Sequence, residues 1–152
     1  GDTDQQGLEI EGTFLVNEHL TISAAAGFID AEWDSGTVMA DGTDLSGQTP
    51  SNVIDESFSI TADYNRPLTN GWNLLASMQF SHQGEGESMP PWDPITNDDY
   101  SVLNLQIGIQ NGLWELMVNV DNVTDEEYYT DLENFPNFGL DGLAGLHEIQ
   151  PA

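Results

Sequence analysis

Apolar and polar residues alternate along six stretches of the chain, with the period of two that β-strands show. The apolar faces comprise Leu8, Ile10, Phe14 and Val16; Leu20, Ile22, Ala24, Ala26 and Phe28; Phe58, Ile60, Ala62 and Tyr64; Trp72, Leu74, Ala76, Met78 and Phe80; Leu103, Leu105, Ile107 and Ile109; and Trp114, Leu116, Val118 and Val120. Helical spacing is scarce between these stretches. Strands in series without intervening helices must pair antiparallel, so the pattern predicts an all-β fold of up-and-down strands.

The connections between the stretches alternate between short and long. The short ones are residues 17–19, residues 67–71 and Asn111-Gly112, and the long ones are residues 31–55, residues 84–99 and the segment from Thr124 onward. The Asn-Gly dipeptide predicts a two-residue hairpin turn between the fifth and sixth strands. Tight turns at one end of the strands and long loops at the other are typical of a transmembrane β-barrel. A soluble β-sandwich can show the same alternation, so this alternative stays open here.

Aromatic residues mark the ends of the predicted strands. Trp72 and Trp114 lie beside the short turns, whereas Phe28, Phe80 and Tyr100 lie at the opposite end. In a barrel these rings would lie at the level of the lipid headgroups, the uncharged apolar faces would contact lipid, and the polar faces would line a water-filled lumen. In a sandwich the same rings would pack in a core.

The composition excludes several classes of function. The chain has 27 acidic residues and a single strongly basic one, Arg66, for a formal net charge of -26. Nucleic acid is thus an improbable partner, because nothing would neutralise its phosphates. The acidic surface is either simply solvated or attracts cations such as Ca²⁺. The chain has no cysteine, which excludes disulfides and thiolate chemistry.

Four segments, taken in order, resemble the end of the barrel of TonB-dependent outer-membrane receptors. They are GLEIEG at residues 7–12, FIDAEW at residues 28–33, LSGQTPSN at residues 45–52 and NVDNVTDEEYY at residues 119–129. The last resembles the stretch near the end of these receptors in which an Asn-rich strand end precedes Asp and Tyr. The resemblance covers about residues 7–129.

The resemblance implies a bacterial outer-membrane location, ligand uptake powered from the inner membrane, and no enzymatic activity. It implies that residues 1–152 are a C-terminal barrel segment of about six strands that supplies wall and external loops. Such receptors have roughly 22 strands and a plug domain, and their barrel ends in a strand with an aromatic last residue. The plug and that final strand are expected to be absent from this segment. The implied partners are a small-molecule or oligosaccharide ligand, the lipid bilayer and, through the plug, the energy-coupling protein. The alternative is a free-standing acidic β-protein, either a carbohydrate- or calcium-binding module or a hydrolase.

Few residues are candidates for ligand binding. Trp92 and Asp93 lie in the run Pro90-Pro91-Trp92-Asp93-Pro94, where flanking prolines would hold an exposed indole rigid for stacking on a sugar or an aromatic ligand. The same tryptophan could instead pin its own loop. Trp33 and His82, near the predicted external strand ends, are weaker candidates of the same kind.

Metal and catalytic sites are poorly supported by the sequence. Asp121, Asn122 and Asp125 offer hard oxygen ligands for Ca²⁺, although the spacing is not that of an EF-hand and a solvated loop is the better interpretation of them. The three histidines are too widely separated to suggest zinc. Neighbouring carboxylates are unavoidable in so acidic a chain, and we therefore predict no cofactor and no catalytic residue.

Overall fold

The computed structural model describes residues 1–87 and 95–130 and two further short strands. The elements, in chain order, are β1 Thr3–Asn17, β2 Leu20–Trp33, β3 Glu56–Pro67, a 3₁₀ turn Thr69–Gly71, β4 Asn73–Gln83, β5 Gly86–Glu87, β6 Thr96–Asn97, β7 Tyr100–Gln110, β8 Glu115–Val120, β9 Leu132–Glu133 and β10 His147–Glu148. Six of them form one antiparallel sheet in the order β1-β2-β3-β4-β7-β8. Each strand pairs with the previous member of the sheet along the chain, so the predicted all-β, up-and-down architecture is confirmed.

The first two strands are longer than the alternation of apolar residues suggested. Thr3–Asn17 pairs with Leu20–Trp33 from Asn17↔Leu20 to Thr3↔Trp33. At the end of the hairpin away from its turn, polar residues pair with polar residues, as in Asp4↔Glu32 and Gln6↔Asp30. Backbone pairing does not depend on side-chain polarity, and therefore a hairpin can continue after the pattern that reveals it has stopped.

Asparagine sets all three short turns. In the first, the Asn17 side-chain oxygen accepts from the backbone N–H groups of His19 and Leu20. Asn70 adopts φ 63°, and Gly71 follows with φ 78°; these two residue types enter the left-handed region at the lowest cost. The predicted Asn111-Gly112 turn lies one residue further along. The Asn111 backbone N–H donates to the Trp114 carbonyl (2.8 Å), and the Asn111 side-chain oxygen accepts from the backbone N–H groups of Leu113 and Trp114. Gly112 and Leu113 are thus the turn residues, because the asparagine side chain caps the turn from its first flanking position.

The described part of the chain has almost no hydrophobic core. Its buried apolar residues are Ala31, Leu45 and Val102, and no large side chain is fully buried. The sheet is therefore a single layer, one face of which carries most of the apolar residues of the six strands. No helix among the described residues is long and apolar enough to cross a membrane.

Candidate functional site

The apolar residues of neighbouring strands lie in register and form a continuous band. One row runs Ala62, Met78, Leu105 and Val120, and the next runs Leu20, Tyr64, Ala76, Ile107 and Val118. Many of these side chains are substantially exposed, with Leu105 at 39%, Ile107 at 54% and Val118 at 56%. Such a large apolar surface is unfavourable in water, and it is the surface that lipid would cover.

Charged residues lie at both ends of this band, and the distance between them matches the thickness of the apolar part of a membrane. On β3, Glu56 and Arg66 share the apolar face, and the residues between them on that face are Phe58, Ile60, Ala62 and Tyr64. Glu56 and Arg66 are separated by roughly 33 Å along the strand, at about 3.3 Å per residue. A strand tilted by about 40° would cover roughly 25 Å of membrane thickness over that length, which is the height of the apolar band of outer-membrane barrels.

The opposite face of the sheet is polar and hydrogen-bonded across strands. Ser77 Oγ donates to Asp63 Oδ1 (2.7 Å), and Gln106 Nε2 donates to Asn119 Oδ1 (2.7 Å). A depression of about 360 Å³ opens on this face beside Gln106 and Asn119. Hydrogen-bonding side chains and a carboxylate in mid-strand require water or polar partners, so this face suits a water-filled lumen.

The two long loops within the sheet meet beyond its external end. Ile54 forms a β-bridge with Gly86, and the Asn52 N–H donates to the Glu87 carbonyl (2.7 Å). Gly86–Glu87 then pairs with Thr96–Asn97. The loop between β2 and β3 is thus tied by backbone hydrogen bonds to the loop between β4 and β7, and together they form a rim at the long-loop end of the sheet.

The loop between β2 and β3 also has its own internal order. Leu45 is buried, and a bridge joins Val38 to Asp44. Ser46 Oγ donates to Asp44 Oδ1 (2.6 Å) and accepts the Gly36 N–H (2.8 Å). The hydrogen bonds from the Ser46 side chain and backbone lower the pKa of Asp44 below its ordinary value of 3.8, and Thr43 lowers the pKa of Asp41 in the same way.

Replacing Ser46 with alanine is expected to raise the pKa of Asp44 towards 3.8 and to leave that of Asp41 unchanged. Because the folded-state pKa of Asp44 is lowered, its contribution to loop stability is present above the ordinary pKa and is lost as pH falls through the lowered value. An NMR titration that follows the side-chain carboxyl carbons of Asp41 and Asp44 measures the pKa of each residue. An unshifted Asp44 in the variant would show that Ser46 does not hold the carboxylate; Thr43→Val, which should shift Asp41 alone, is the matched control.

The four residues predicted to bind ligand are not brought together. Trp33 ends β2 at the external rim, half-buried, and its indole N–H is buried without a hydrogen-bond partner among the described residues. His82 lies on the apolar face near the external end of β4, where its ring stacks on Phe58 (4.6 Å between centroids) and its Nδ1 lies 2.9 Å from Ser101 Oγ. Trp92 and Asp93 lie outside the described residues. Ligand binding by these four side chains stays a prediction.

The predicted calcium ligands lie where the chain leaves β8. Asn122 and Asp125 adopt left-handed conformations, with φ 49° and 54°. The side chain of Asn122 accepts from the Glu126 N–H and donates to the Glu126 carbonyl, so it is already engaged in forming the turn. Asp121 is exposed. In the described part of the chain no group of three or more histidine or acidic residues is arranged to hold a metal ion, and calcium binding stays a prediction.

An aromatic pair on the polar face was not anticipated from the sequence. Tyr100 stacks on Tyr128 with centroids 4.2 Å apart, and its hydroxyl donates to Gln83 Oε1 (3.0 Å). Asn97 Nδ2 also donates to the Tyr129 carbonyl (2.9 Å). The interpretation of Tyr100 as a ring at the end of an apolar face was wrong. The apolar residues of β7 are odd-numbered, so strand parity places residue 100 on the lumenal side.

A single-layer antiparallel sheet with one lipid-compatible face, one polar face and a structured rim of loops fits the wall of an outer-membrane β-barrel. Comparison with known protein families agrees: the model for the TonB dependent receptor-like β-barrel matches residues 1–123. The chain belongs to this family, whose members are outer-membrane transporters rather than enzymes. No curated protein and no solved structure matches the chain.

Proposed function

We propose that the chain forms part of the wall and external loops of a receptor in the bacterial outer membrane that takes up a ligand in a TonB-dependent manner. The observation that carries this proposal is the apolar band between Glu56 and Arg66, continuous across six strands and without a second layer among the described residues. A soluble protein would bury such a face. The free-standing soluble module is therefore the weaker alternative.

The open edges of the sheet indicate that further strands complete the barrel. β1 and β8 are its edge strands, and each leaves one row of backbone groups unpaired in the sheet. Hydrocarbon does not tolerate such groups, so membrane-spanning sheets close into barrels. We expect further strands of the receptor to pair with both edges, and a plug within the barrel to couple transport to TonB.

The polar face and the rim are the surfaces available to a ligand. A small molecule or an oligosaccharide would first meet the acidic loops around residues 34–55 and 84–99, and then the lumenal side chains. Trp33, Trp92 and Asp93 are candidates for the first contact, and the Tyr100–Tyr128 stack lies on the lumenal side of the same end. A planar sugar face could pack on such rings, which favours a carbohydrate or an aromatic chelate over a simple ion.

The topology can be tested by cysteine labelling, since this chain contributes no cysteine of its own. In the complete receptor in Gram-negative cells, Ala40→Cys in the external loop should react with a membrane-impermeant maleimide added to intact cells. Thr69→Cys, in a short turn, should react only after the outer membrane is permeabilised. Labelling of both positions in intact cells, or in the reverse order, would contradict the proposed orientation.

Energy-dependent uptake needs a separate measurement. A radiolabelled maltooligosaccharide and a radiolabelled ferric siderophore are suitable first probes, compared in cells with and without functional TonB. Uptake of either probe that requires both the receptor and TonB would support the transport function. Equal uptake in cells lacking TonB would contradict it, and the labelling result would then stand as evidence for the barrel alone.

A further inference from the structure

The single strongly basic residue of the chain lies at one particular place on the outward face. Arg66 is exposed on β3 at the end where the short turns are, in a row with Leu74, Ile109 and Leu116. At the other end of the same face, the strands carry carboxylates, namely Asp4, Asp30, Glu32 and Glu56. The outward face is therefore apolar in its middle and acidic at the external end, and its one strongly basic residue lies at the short-turn end.

Arg66 has no ion-pair partner within the described residues, although the chain carries 27 acidic side chains. The register brings the turn containing Glu18 beside the end of β3, since Leu20 pairs with Tyr64 and the Asn65 N–H donates to the His19 carbonyl. The Glu18 carboxylate, however, lies 3.5 Å from His19 Nε2 and is 85% exposed. The guanidinium is thus left free at the lipid-facing surface.

The surroundings of Arg66 are those of a membrane interface. Trp114 is 71% exposed and Leu113, at the tip of its turn, is 90% exposed; Leu68, in the turn that follows β3, is 43% exposed. Apolar turn tips of this kind are unfavourable in water and favourable among headgroups and the first acyl carbons. A long arginine side chain at this depth extends its guanidinium to the headgroup layer while its methylene groups lie along the apolar surface.

Resting on the proposed function, we propose that Arg66 binds the phosphodiester of a phospholipid headgroup in the leaflet at the short-turn end, and that it selects anionic phospholipid there. A guanidinium can donate two parallel hydrogen bonds to one phosphate, which a tryptophan or tyrosine belt cannot do. At the acidic end of the same face, carboxylates repel that headgroup. The two ends of the lipid-facing surface consequently prefer different headgroup charge, which also orients the barrel.

The test measures the lipid composition next to Arg66. In the complete receptor refolded into vesicles, Leu68→Cys carries a bimane fluorophore, and its quenching by dibrominated phosphatidylglycerol is compared with quenching by dibrominated phosphatidylcholine at equal mole fraction. We expect about fivefold local enrichment of phosphatidylglycerol, the effect of one basic residue near an anionic surface. Arg66→Gln should abolish the enrichment, and Arg66→Lys should retain part of it. A fluorophore at Leu8→Cys, at the acidic end, should show none.

Two further outcomes separate this proposal from its alternatives. Glu18→Gln should leave the enrichment unchanged. If enrichment appeared only in this variant, the Glu18 carboxylate would neutralise Arg66 in the unchanged protein, and the proposal would be overturned. Equal quenching by the two lipids in the unmodified receptor would also overturn it. Protease resistance in the same vesicles reports insertion independently: an inserted barrel without enrichment defeats only the lipid site, whereas failure to insert defeats the proposed function.

Discussion

Replacing Leu105 with arginine is expected to lower the free energy of unfolding in a bilayer by about 2–4 kcal/mol, the cost of a basic side chain near the membrane midplane. Leu105 lies in the row with Ala62 and Met78, midway between Glu56 and Arg66, and it faces outward. The matched control is the next residue, Gln106, which faces the lumen and bonds to Asn119. Gln106→Arg should cost well under half as much, because water can hydrate the new charge. Denaturant unfolding of the complete receptor in vesicles measures both.

Leu105→Ala distinguishes contact with lipid from contact with protein. Truncation in a packed core leaves a cavity and costs roughly 2–5 kcal/mol. Fluid acyl chains fill the space left at a lipid-facing position, so we expect a loss well below that range. A large penalty for both Leu105→Ala and Leu105→Arg would mean that another layer of protein covers this face. Equal penalties for Leu105→Arg and Gln106→Arg would contradict the assignment of the two faces.

The second large effect is expected at Gly108. A Cβ atom added there would collide with Met117 Sδ and with the Leu116 carbonyl oxygen on the neighbouring strand. The sulfur can move, but the carbonyl is fixed in the β7–β8 ladder, which has only six paired positions. Gly108→Ala should therefore destabilise the sheet by about 1–3 kcal/mol, as overpacking of a close contact does. The change in unfolding free energy of the receptor in vesicles is the measurement.

Gly12 offers the control for that substitution. It lies mid-strand in β1, and an added Cβ would meet nothing within 4 Å. Gly12→Ala should be neutral or stabilising by up to about 1 kcal/mol, because alanine loses less backbone freedom on folding. If Gly108→Ala proved as mild as Gly12→Ala, the close approach of β8 to β7 would not exist in the membrane-embedded protein.

Much of this fold could be predicted because the alternation of apolar and polar residues in each strand reflects the surroundings of its two faces. Side chains alternate between two faces, so Leu103 to Ile109 and Leu116 to Val120 reveal both the strands and the face that avoids water. Chain order then fixes their neighbours, since short turns join antiparallel partners. The ordered resemblance over about residues 7–129 indicated the family, which the match over residues 1–123 established.

Three features depended on tertiary structure. The extension of β1 and β2 into polar residues is invisible to a pattern of hydrophobicity, because backbone pairing and the hydrogen bond from Gln6 to Asp30 make it. The turn at Gly112-Leu113 was displaced by one residue because the Asn111 side chain accepts hydrogen bonds that the dipeptide signal does not specify. The union of the two external loops joins segments about thirty residues apart in sequence through backbone bonds alone.

The sequence by itself determined the strands, their order and the two faces, because these follow from local alternation and from chain connectivity. It also determined that nearly all charge is negative and that Arg66 stands alone. Only the tertiary structure decided which residues meet across the strands: that the apolar residues of neighbouring strands lie in register, that His82 lies against Phe58, and that Tyr100 stacks on Tyr128. Short turns fix the register within the hairpins that they close, whereas the register across the long loops, between β2 and β3 and between β4 and β7, is set by contacts distant in sequence.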